Sequence, residues 1–218
     1  MLIAYNEYMK SNKCIVIFGA AGRVGRLLVE YALADGYAVT AFVHRHHRLP
    51  DHPSLSIVRG NIYNDDDVQR AIKCADMVMS ALSSWGTKKK DVLSTAMTSI
   101  IPAMQKHGVT RIVSLTGAEA RAAGDHLSTI HRFAHFGIGI IGGPVLRDGE
   151  HHIKLLEQSD LDWTVIRSPI MRANTNQSYR LSLDRPFPWA LINRPVVARA
   201  MVDQLSDDTH LRQAPFIH

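Results

Sequence analysis

The stretch that decides the fold is IVIFGAAGRVG, residues 15–25. It begins as an apolar run typical of a buried parallel strand, breaks at Gly19, and continues with Gly22 and Gly25 at intervals of three. Immediately afterwards, apolar residues recur at helical spacing over residues 23–34, which predicts a helix. A glycine-rich turn between a strand and a helix brings free backbone N–H groups together with the positive end of the helix dipole. This stretch therefore predicts a site for the pyrophosphate of a dinucleotide.

The rest of the chain repeats the alternation of strand and helix. Five more apolar runs predict strands, at residues 37–43, 55–60, 77–82, 111–115 and 163–167. Further helices are predicted at residues 64–72, 91–106, 149–158 and 193–205, and no element is predicted between residues 120 and 145. Parallel neighbours need crossover connections, so the pattern predicts an α/β fold: a Rossmann-like, doubly wound parallel sheet with helices on both faces. We expect a single domain over residues 14–218, with a minimal substrate lobe, preceded by an extension at residues 1–13.

Composition narrows the functional classes. The chain has 218 residues, 46% hydrophobic and 21% charged, as in ordinary globular proteins. No apolar run approaches the ~20 residues that span a bilayer, and the first residues lack a signal-peptide pattern, so neither a membrane partner nor secretion is expected. The two cysteines, Cys14 and Cys74, suit a reducing compartment, and we expect a cytoplasmic location. The net charge of +5 is scattered, which argues against direct nucleic-acid binding.

Several motifs taken in order carry a resemblance to a known family. They are GAAGRVG, YAVTAFVHRHHRLP, VRGNIYNDDDV, MVMSALS, MQKHGVTRIVSLTGA and LEQSDLDWTVIRSPI. Together they resemble the atypical short-chain dehydrogenase/reductase superfamily, in particular its small NAD(P)H-binding, NmrA-like branch. Within that branch the chain is most similar to flavin reductase/biliverdin-IX-beta reductase and to bacterial NADH-flavin reductases. The resemblance extends from Cys14 over nearly the whole chain.

The resemblance implies a set of cofactor-binding residues. The implied residues are Gly19, Ala21, Gly22, Arg23, Val24 and Gly25 in the phosphate loop, His44 and Arg45 after the second strand, Asn61 and Ile62 beside the adenine, Ala81 and Leu82 beneath the adenosine, and Thr116 and Pro169 towards the nicotinamide. No carboxylate follows the second strand, where one would bind the ribose of NAD, so NADP is the expected cofactor, with NADPH preferred over NADH. The alternative interpretation of the stretch from His44 to Arg48 is a solvated basic loop.

The catalytic pattern of the superfamily is missing. Its members use a Tyr with a Lys four residues later and a Ser at the end of the fifth strand. None of the six tyrosines has Lys at that position, and Gly117 stands where the Ser would align. Thr116 is left as the candidate that could hydrogen-bond a ligand. The resemblance therefore implies hydride transfer to a conjugated acceptor (a flavin, a quinone or a tetrapyrrole) that needs no Tyr–Lys pair, or else a non-catalytic NADP(H)-sensing regulator. The oligomeric state is left open.

The remaining histidines, Asp148 and Trp163 are interpreted mainly as structural residues. His131 and His135 are four residues apart but have no evident third ligand, so no metal site is predicted. The pairs at 46–47 and 151–152 are interpreted as surface histidines, with a weak acid/base role left open for Glu150 and His152. Asp148 is interpreted as a helix N-cap and Trp163 as core packing. The segment 174–189 is too short for a large substrate lobe, which predicts an open, shallow acceptor site.

Overall fold

The computed structural model describes residues 13–45, 48–125, 128–172 and 178–218, with the side chains at 134, 138 and 141 excepted. Its main sheet has eight strands in the order β3-β2-β1-β4-β5-β6-β10-β8, parallel except between β10 and β8. The strands are β1 (Cys14–Phe18), β2 (Ala38–Val43), β3 (Leu55–Arg59), β4 (Met77–Ser80), β5 (Arg111–Gly117), β6 (Asp162–Ser168), β8 (Leu181–Ser182) and β10 (Phe216–Ile217). A separate parallel pair joins β7 (Ile170–Arg172) to β9 (Leu191–Asn193). The Rossmann-like arrangement predicted from the sequence is confirmed, and the four short strands are additional.

Helices cover both faces of the main sheet because the strands are apolar on both sides. The helices are α1 (Arg23–Ala34), α2 (Asp65–Ile72), α3 (Val92–His107), α4 (Thr129–Glu157) and α5 (Arg194–Asp203). In β1, Ile15 and Ile17 enter the core formed with α1 and α5. Val16 and Phe18 enter the opposite core, formed with α2, α3 and the second half of α4. This alternation follows from the two-residue period of a strand.

One prediction about the helices is wrong. No element was predicted between residues 120 and 145 and only 149–158 was predicted helical, yet α4 extends from Thr129 to Glu157 as two helical halves joined at a kink. The prediction missed the first half because four glycines and a proline between residues 137 and 144 lower helix propensity. The structure accommodates them with a kink, since Gly142 has non-helical angles (φ −131°, ψ 24°) directly before Gly143 and Pro144. Within the described residues, no helix has the length and apolarity to cross a membrane.

Candidate functional site

A cleft of about 740 Å³ lies where the carboxyl ends of the central strands meet the helices. Its lining residues come from seven places along the chain: the glycine loop, the segment after β4, the start of α3, the end of β5, the middle of α4, the segment after β6, and the segment leading into α5. They are Gly22–Val24, Ala81–Gly86, Leu93, Leu115–Ala120, Val145, Leu146, Ser168–Met171, Phe187, Pro188 and Arg194. In an open parallel sheet this edge is where ligands bind, because the strand order reverses there.

At one end of the cleft, two glycines of the glycine loop lie so close to neighbouring backbone that a side chain would not fit. Gly19 has φ +78°, and a Cβ there would lie 2.8 Å from the backbone of Ala81. A Cβ at Gly25 would overlap the carbonyl oxygen of Gly19, so the helix can begin against the loop only with glycine at that position. At Gly22 a Cβ would meet only that same oxygen, at 3.1 Å, and otherwise open space. Gly22 therefore does not maintain the loop's packing; it leaves the cleft free for a ligand.

The first turn of α1 is chemically suited to an anion. Gly22 is its N-cap residue and contributes no side-chain cap, and the turn contains no acidic residue. The first N–H groups of a helix have no intrahelical acceptor, so they are available to a bound group, and the helix dipole favours negative charge there. Arg23 and Val24 line the cleft at this point. The residues present thus fit the pyrophosphate of a dinucleotide.

Of the residues expected at the adenosine end, Ala81 and Leu82 line the cleft, whereas four others lie outside its lining, beyond the ends of β2 and β3: His44, Arg45, Asn61 and Ile62. Because both strands are parallel to β1, His44 and Arg45 emerge at the same edge of the sheet as the glycine loop. Both side chains are exposed, and His44 Nδ1 lies 3.3 Å from the carbonyl oxygen of Gly60. Asn61 accepts from the N–H of Tyr63 at 3.1 Å through its side-chain oxygen, so that oxygen is used within a local turn. The histidines at 46 and 47 lie outside the described residues.

The expected nicotinamide end is formed where β5 and β6 finish side by side. Gly117 pairs with Ser168, and the N–H of Ala118 donates to the carbonyl oxygen of Ser168 at 2.8 Å. Thr116 and Pro169 both line the cleft here. Thr116 lies against α4 at Gly149, where a Cβ would come within 2.7 Å of the threonine hydroxyl. The structure therefore brings the glycine loop, the residues after β4, Thr116 and Pro169 together in one cleft, and their role in cofactor binding stays a prediction.

Asp148 has a role that the sequence did not reveal. It was interpreted as the cap of its own helix, but it lies inside α4 and instead caps α3. Its carboxylate accepts from the N–H groups of Leu93 at 3.0 Å and Ser94 at 2.8 Å, from the Ser94 hydroxyl at 2.6 Å, and from the Ser84 hydroxyl. These partners are 54 to 64 residues away, so no local motif could signal them.

The structure corrects the interpretation of His151 and His152 as a pair of surface histidines. His151 is exposed, but His152 is fully buried and neither ring nitrogen has a hydrogen-bond partner among the described residues. Burial lowers the pKa of His152 to about 4, against the opposing charge of Asp148, so the ring is neutral near pH 7. Glu150 pairs with Arg121 at 2.8 Å and with His135 at 3.7 Å. Neither His152 nor Glu150 lines the cleft, so their position does not suit acid/base chemistry there.

The other predicted structural residues can be placed directly. Trp163 is buried in the core, as predicted. His131 contacts the hydroxyl of Ser128 and the carbonyl oxygen of Pro186, at 2.7 Å and 3.1 Å. Across the described ranges, no group of three or more His, Cys, Asp or Glu side chains is arranged to hold a metal ion.

Few groups in the cleft can carry charge. Among its described lining residues these are Arg23, Glu119 and Arg194, and the lining includes no tyrosine, lysine or histidine. Glu119 lies 3.7 Å from Arg185, and Arg194 donates to the carbonyl oxygen of Met171 at 3.1 Å. Most of the remaining surface is aliphatic or aromatic, with Trp85 and Phe187 at the opening.

A buried ionic cluster supports the rim of the cleft. Asp125, in the segment after β5, pairs with Arg167 of β6 and, at 2.8 Å, with Arg185. Both guanidinium groups stack on Phe216 of β10, at 3.7 Å and 4.8 Å from the ring centre. Although burial opposes the charged form, the hydrogen bond and charge of Arg167 lower the pKa of Asp125. This cluster fixes the segment that carries Phe187 to the edge of the sheet.

Comparisons with known proteins agree with this architecture and define the family. Residues 19–208 match the model of a family described as NAD(P)H-binding. The fold and site thus define a Rossmann-like dinucleotide-binding protein, and the chain belongs to this NAD(P)H-binding family.

Individual relatives are more distant. A curated, uncharacterised chloroplastic protein of Arabidopsis thaliana is 26% identical over 176 residues, 74% of this chain. The chain spans about 60% of that relative's length. The relative's name does not support the expected cytoplasmic location, which stays a prediction.

Two similar solved structures share the fold at low sequence identity. One is a short-chain dehydrogenase/reductase from Veillonella parvula in complex with NADP, with a TM-score of 0.74, 19% identity and 94% coverage of each chain. The other is an anaerobilin reductase from Escherichia coli O157:H7, with a TM-score of 0.74, 17% identity, and coverage of 94% of this chain and 96% of that one.

Proposed function

We propose that this protein is an NAD(P)H-dependent reductase that transfers a hydride to a flat, conjugated acceptor such as a flavin, a quinone or a tetrapyrrole. One observation carries the proposal: a glycine loop suited to pyrophosphate and an apolar chamber with an aromatic opening are parts of one cleft. The described lining offers no Tyr–Lys pair that would protonate an alkoxide. Conjugated acceptors do not need one, because the reduced ring system delocalises the charge and the accompanying proton can come from water.

The chain's residues would divide the work along the cleft. The loop from Gly19 to Gly25 would hold the pyrophosphate, and Arg45 would meet the 2′-phosphate. Thr116 would hydrogen-bond on the nicotinamide side, with Pro169 against the ring. When bound, NAD(P)H supplies the hydride. These assignments make NADPH the preferred cofactor and Thr116 a binding residue.

The acceptor would lie between the nicotinamide side and the opening. Trp85 and Phe187 offer aromatic faces, and Phe187 is stacked on Trp189 with ring centres 5.5 Å apart. Stacking of this kind positions a conjugated ring without a specific polar partner. The E. coli neighbour named as an anaerobilin reductase supports an acceptor of the tetrapyrrole class, and the neighbour crystallised with NADP supports the cofactor.

The test is NADPH oxidation by the purified protein with FMN, menadione and biliverdin, followed by loss of nicotinamide absorbance. We expect turnover with at least one of the three, unchanged when any described tyrosine is replaced by phenylalanine. Trp85→Ala should raise the acceptor KM about ten-fold while leaving the NADPH Kd unchanged. Lys88→Ala, an exposed neighbour, is the matched control. Tight NADPH binding without turnover of any acceptor would contradict the proposal and favour the regulatory sensor instead.

A further inference from the structure

The exposed apolar side chains of this protein are concentrated around the opening of the cleft. In the described part of the chain ten large hydrophobic side chains are exposed, and nine of them lie on segments that border that opening: the segment after β4, the first half of α4, β7 and residues 187–191. We call these nine the apolar rim: Trp85, Ile130, Phe133, Phe136, Ile140, Ile170, Phe187, Trp189 and Leu191. Scattered exposure of single apolar residues is normal, but a continuous patch around one opening marks an interaction surface.

The first half of α4 runs along this opening. Near its start, His131 contacts the carbonyl oxygen of Pro186 at 3.1 Å, next to Phe187. At the kink, a Cβ on Gly142 would lie 3.1 Å from the ring of Trp85, on the other side of the cleft. Between these anchors, Phe133, Phe136 and Ile140 are spaced to share one helical face and are 73%, 70% and 72% exposed.

The charge around the apolar rim is predominantly positive. Residues 126–147 contain no Asp or Glu, and two arginines, Arg132 and Arg147, are exposed on this stretch. Across the cleft, the exposed triplet Lys88–Lys90 follows Trp85 in the chain. Three acidic residues nearby turn inward, where Asp148 caps α3 and Glu119 and Asp125 pair with arginine. Two others, Asp91 and Asp184, are exposed, so the five exposed basic side chains outnumber the exposed carboxylates.

We infer that the apolar rim docks on a lipid surface with anionic headgroups. Phenylalanine and isoleucine can enter the interface, Trp85 and Trp189 suit the headgroup level, and the basic side chains meet lipid phosphates. The same features disfavour a second copy of the chain as the occupant. A two-fold interface through this surface would bring two predominantly basic faces together, and residues 126–147 carry no carboxylate to compensate.

If the proposed function is correct, this inference also indicates where the acceptor comes from. A cleft whose opening lies on a bilayer can take an acceptor dissolved in the lipid, which favours lipid-soluble quinones among the three classes. The docking needs no spanning helix. It would revise the expectation of no membrane partner, which rested on the absence of a spanning apolar run from the sequence.

The first experiment uses the unmodified protein and its own fluorescence. Of the three tryptophans, Trp85 and Trp189 are 63% and 65% exposed, whereas Trp163 is buried. Vesicles of phosphatidylcholine with about a third phosphatidylglycerol should shift the emission to the blue and bind the protein about ten-fold more strongly than phosphatidylcholine alone. High salt should reverse most of that difference. No spectral shift and no co-sedimentation with anionic vesicles would overturn the inference.

A matched pair of variants tests the surface itself. The double variant Phe133→Ser/Phe136→Ser should lose vesicle binding by about ten-fold or more, while its NADPH Kd stays at the wild-type value. Leu183→Ser, at the exposed large apolar residue outside the apolar rim, should bind vesicles normally. If the double variant instead converts a dimer into a monomer and wild-type protein ignores vesicles, the occupant is a second copy and the inference is wrong. Vesicle binding and the NADPH Kd are measured without turnover. A failure of the reductase proposal can therefore be told apart from a failure of the lipid-docking inference.

Discussion

A substitution at Gly22 should affect ligand binding and leave the stability of the fold nearly unchanged. Its backbone angles (φ −73°, ψ 174°) are open to any amino acid, and a Cβ there faces the cleft. Gly22→Val should abolish NADPH binding, because the side chain occupies the space of the pyrophosphate, and should change the melting temperature little. Gly25→Ala is the contrasting control: its Cβ overlaps the Gly19 carbonyl, so it should unfold at a markedly lower temperature. Wild-type affinity in Gly22→Val, measured by calorimetry, would refute the phosphate-loop assignment.

Arg45 decides the cofactor preference that we propose. A 2′-phosphate carries about two negative charges near pH 7, and an arginine can meet it with paired hydrogen bonds worth ~1.5–3 kcal/mol. The wild type should therefore bind NADPH about ten-fold or more tightly than NADH. Arg45→Ala should weaken NADPH far more than NADH, and the gap should narrow in high salt because the side chain is exposed. Equal dissociation constants for the two cofactors in the wild type would show that this loop is merely solvated.

His152 makes stability depend on pH. Its folded pKa of about 4 lies below the ordinary value of 6.5, so protons bind the unfolded chain first as the pH falls. The contribution of neutral His152 to the free energy of unfolding should be fully present above about pH 6.5 and should fall by about 3 kcal/mol by pH 4. His152→Leu removes the buried ring and should flatten this part of the profile in urea titrations. Exposed His151→Leu should leave the profile unchanged, and an equally steep profile in His152→Leu would assign the effect to other groups.

At the scale of elements, Asp148 couples α4 to the start of α3. The residue at the N-cap of α3, Asp91, makes no cap with its own side chain, so the helix depends on a carboxylate from another element. Asp148→Ala leaves buried N–H and hydroxyl groups without an acceptor and should cost about 2–4 kcal/mol in the free energy of unfolding. Asp91→Ala should cost under about 0.5 kcal/mol. Similar losses in the two variants, by urea denaturation, would contradict this account.

At the scale of the whole molecule, Asp125 joins three distant parts of the chain. It pairs with Arg167 of β6 and with Arg185, and both guanidinium groups rest on Phe216 near the carboxyl terminus. Asp125→Asn leaves two buried cations without their carboxylate and should destabilise the fold by about 3 kcal/mol.

The carboxylate of Asp125 also makes the stability of the fold depend on pH in the acid range. Its folded pKa is depressed, so its stabilisation is present above the ordinary value of 3.8 and is lost as the pH falls through the folded value. Thermal unfolding of Asp125→Asn should show less of this loss below pH 4 than the wild type. Asp184→Asn, an exposed control, should match the wild type in both measurements.

The central sheet and the glycine loop of this protein could be predicted from the sequence alone. The six long strands and the turn between β1 and α1 were predicted correctly, because strand and helix periods and the conformational freedom of Gly19 are local properties. Thr116 and Pro169 could be placed at the same edge for a related reason: parallel strands bring their carboxyl ends together whatever their separation in the chain.

Features that depend on contacts between distant parts of the chain became visible only in the folded protein. The carboxylate of Asp148 caps a helix 54 residues away, and His152 is buried although its neighbour His151 is exposed. The length of α4 was missed because its glycines and Pro144 oppose helix formation locally, while the packing of its second half on α3 stabilises it. The apolar rim was equally hidden in the sequence. A pattern of apolar residues marks which side chains share a face, but only the packed fold decides whether that face is covered or left at the surface.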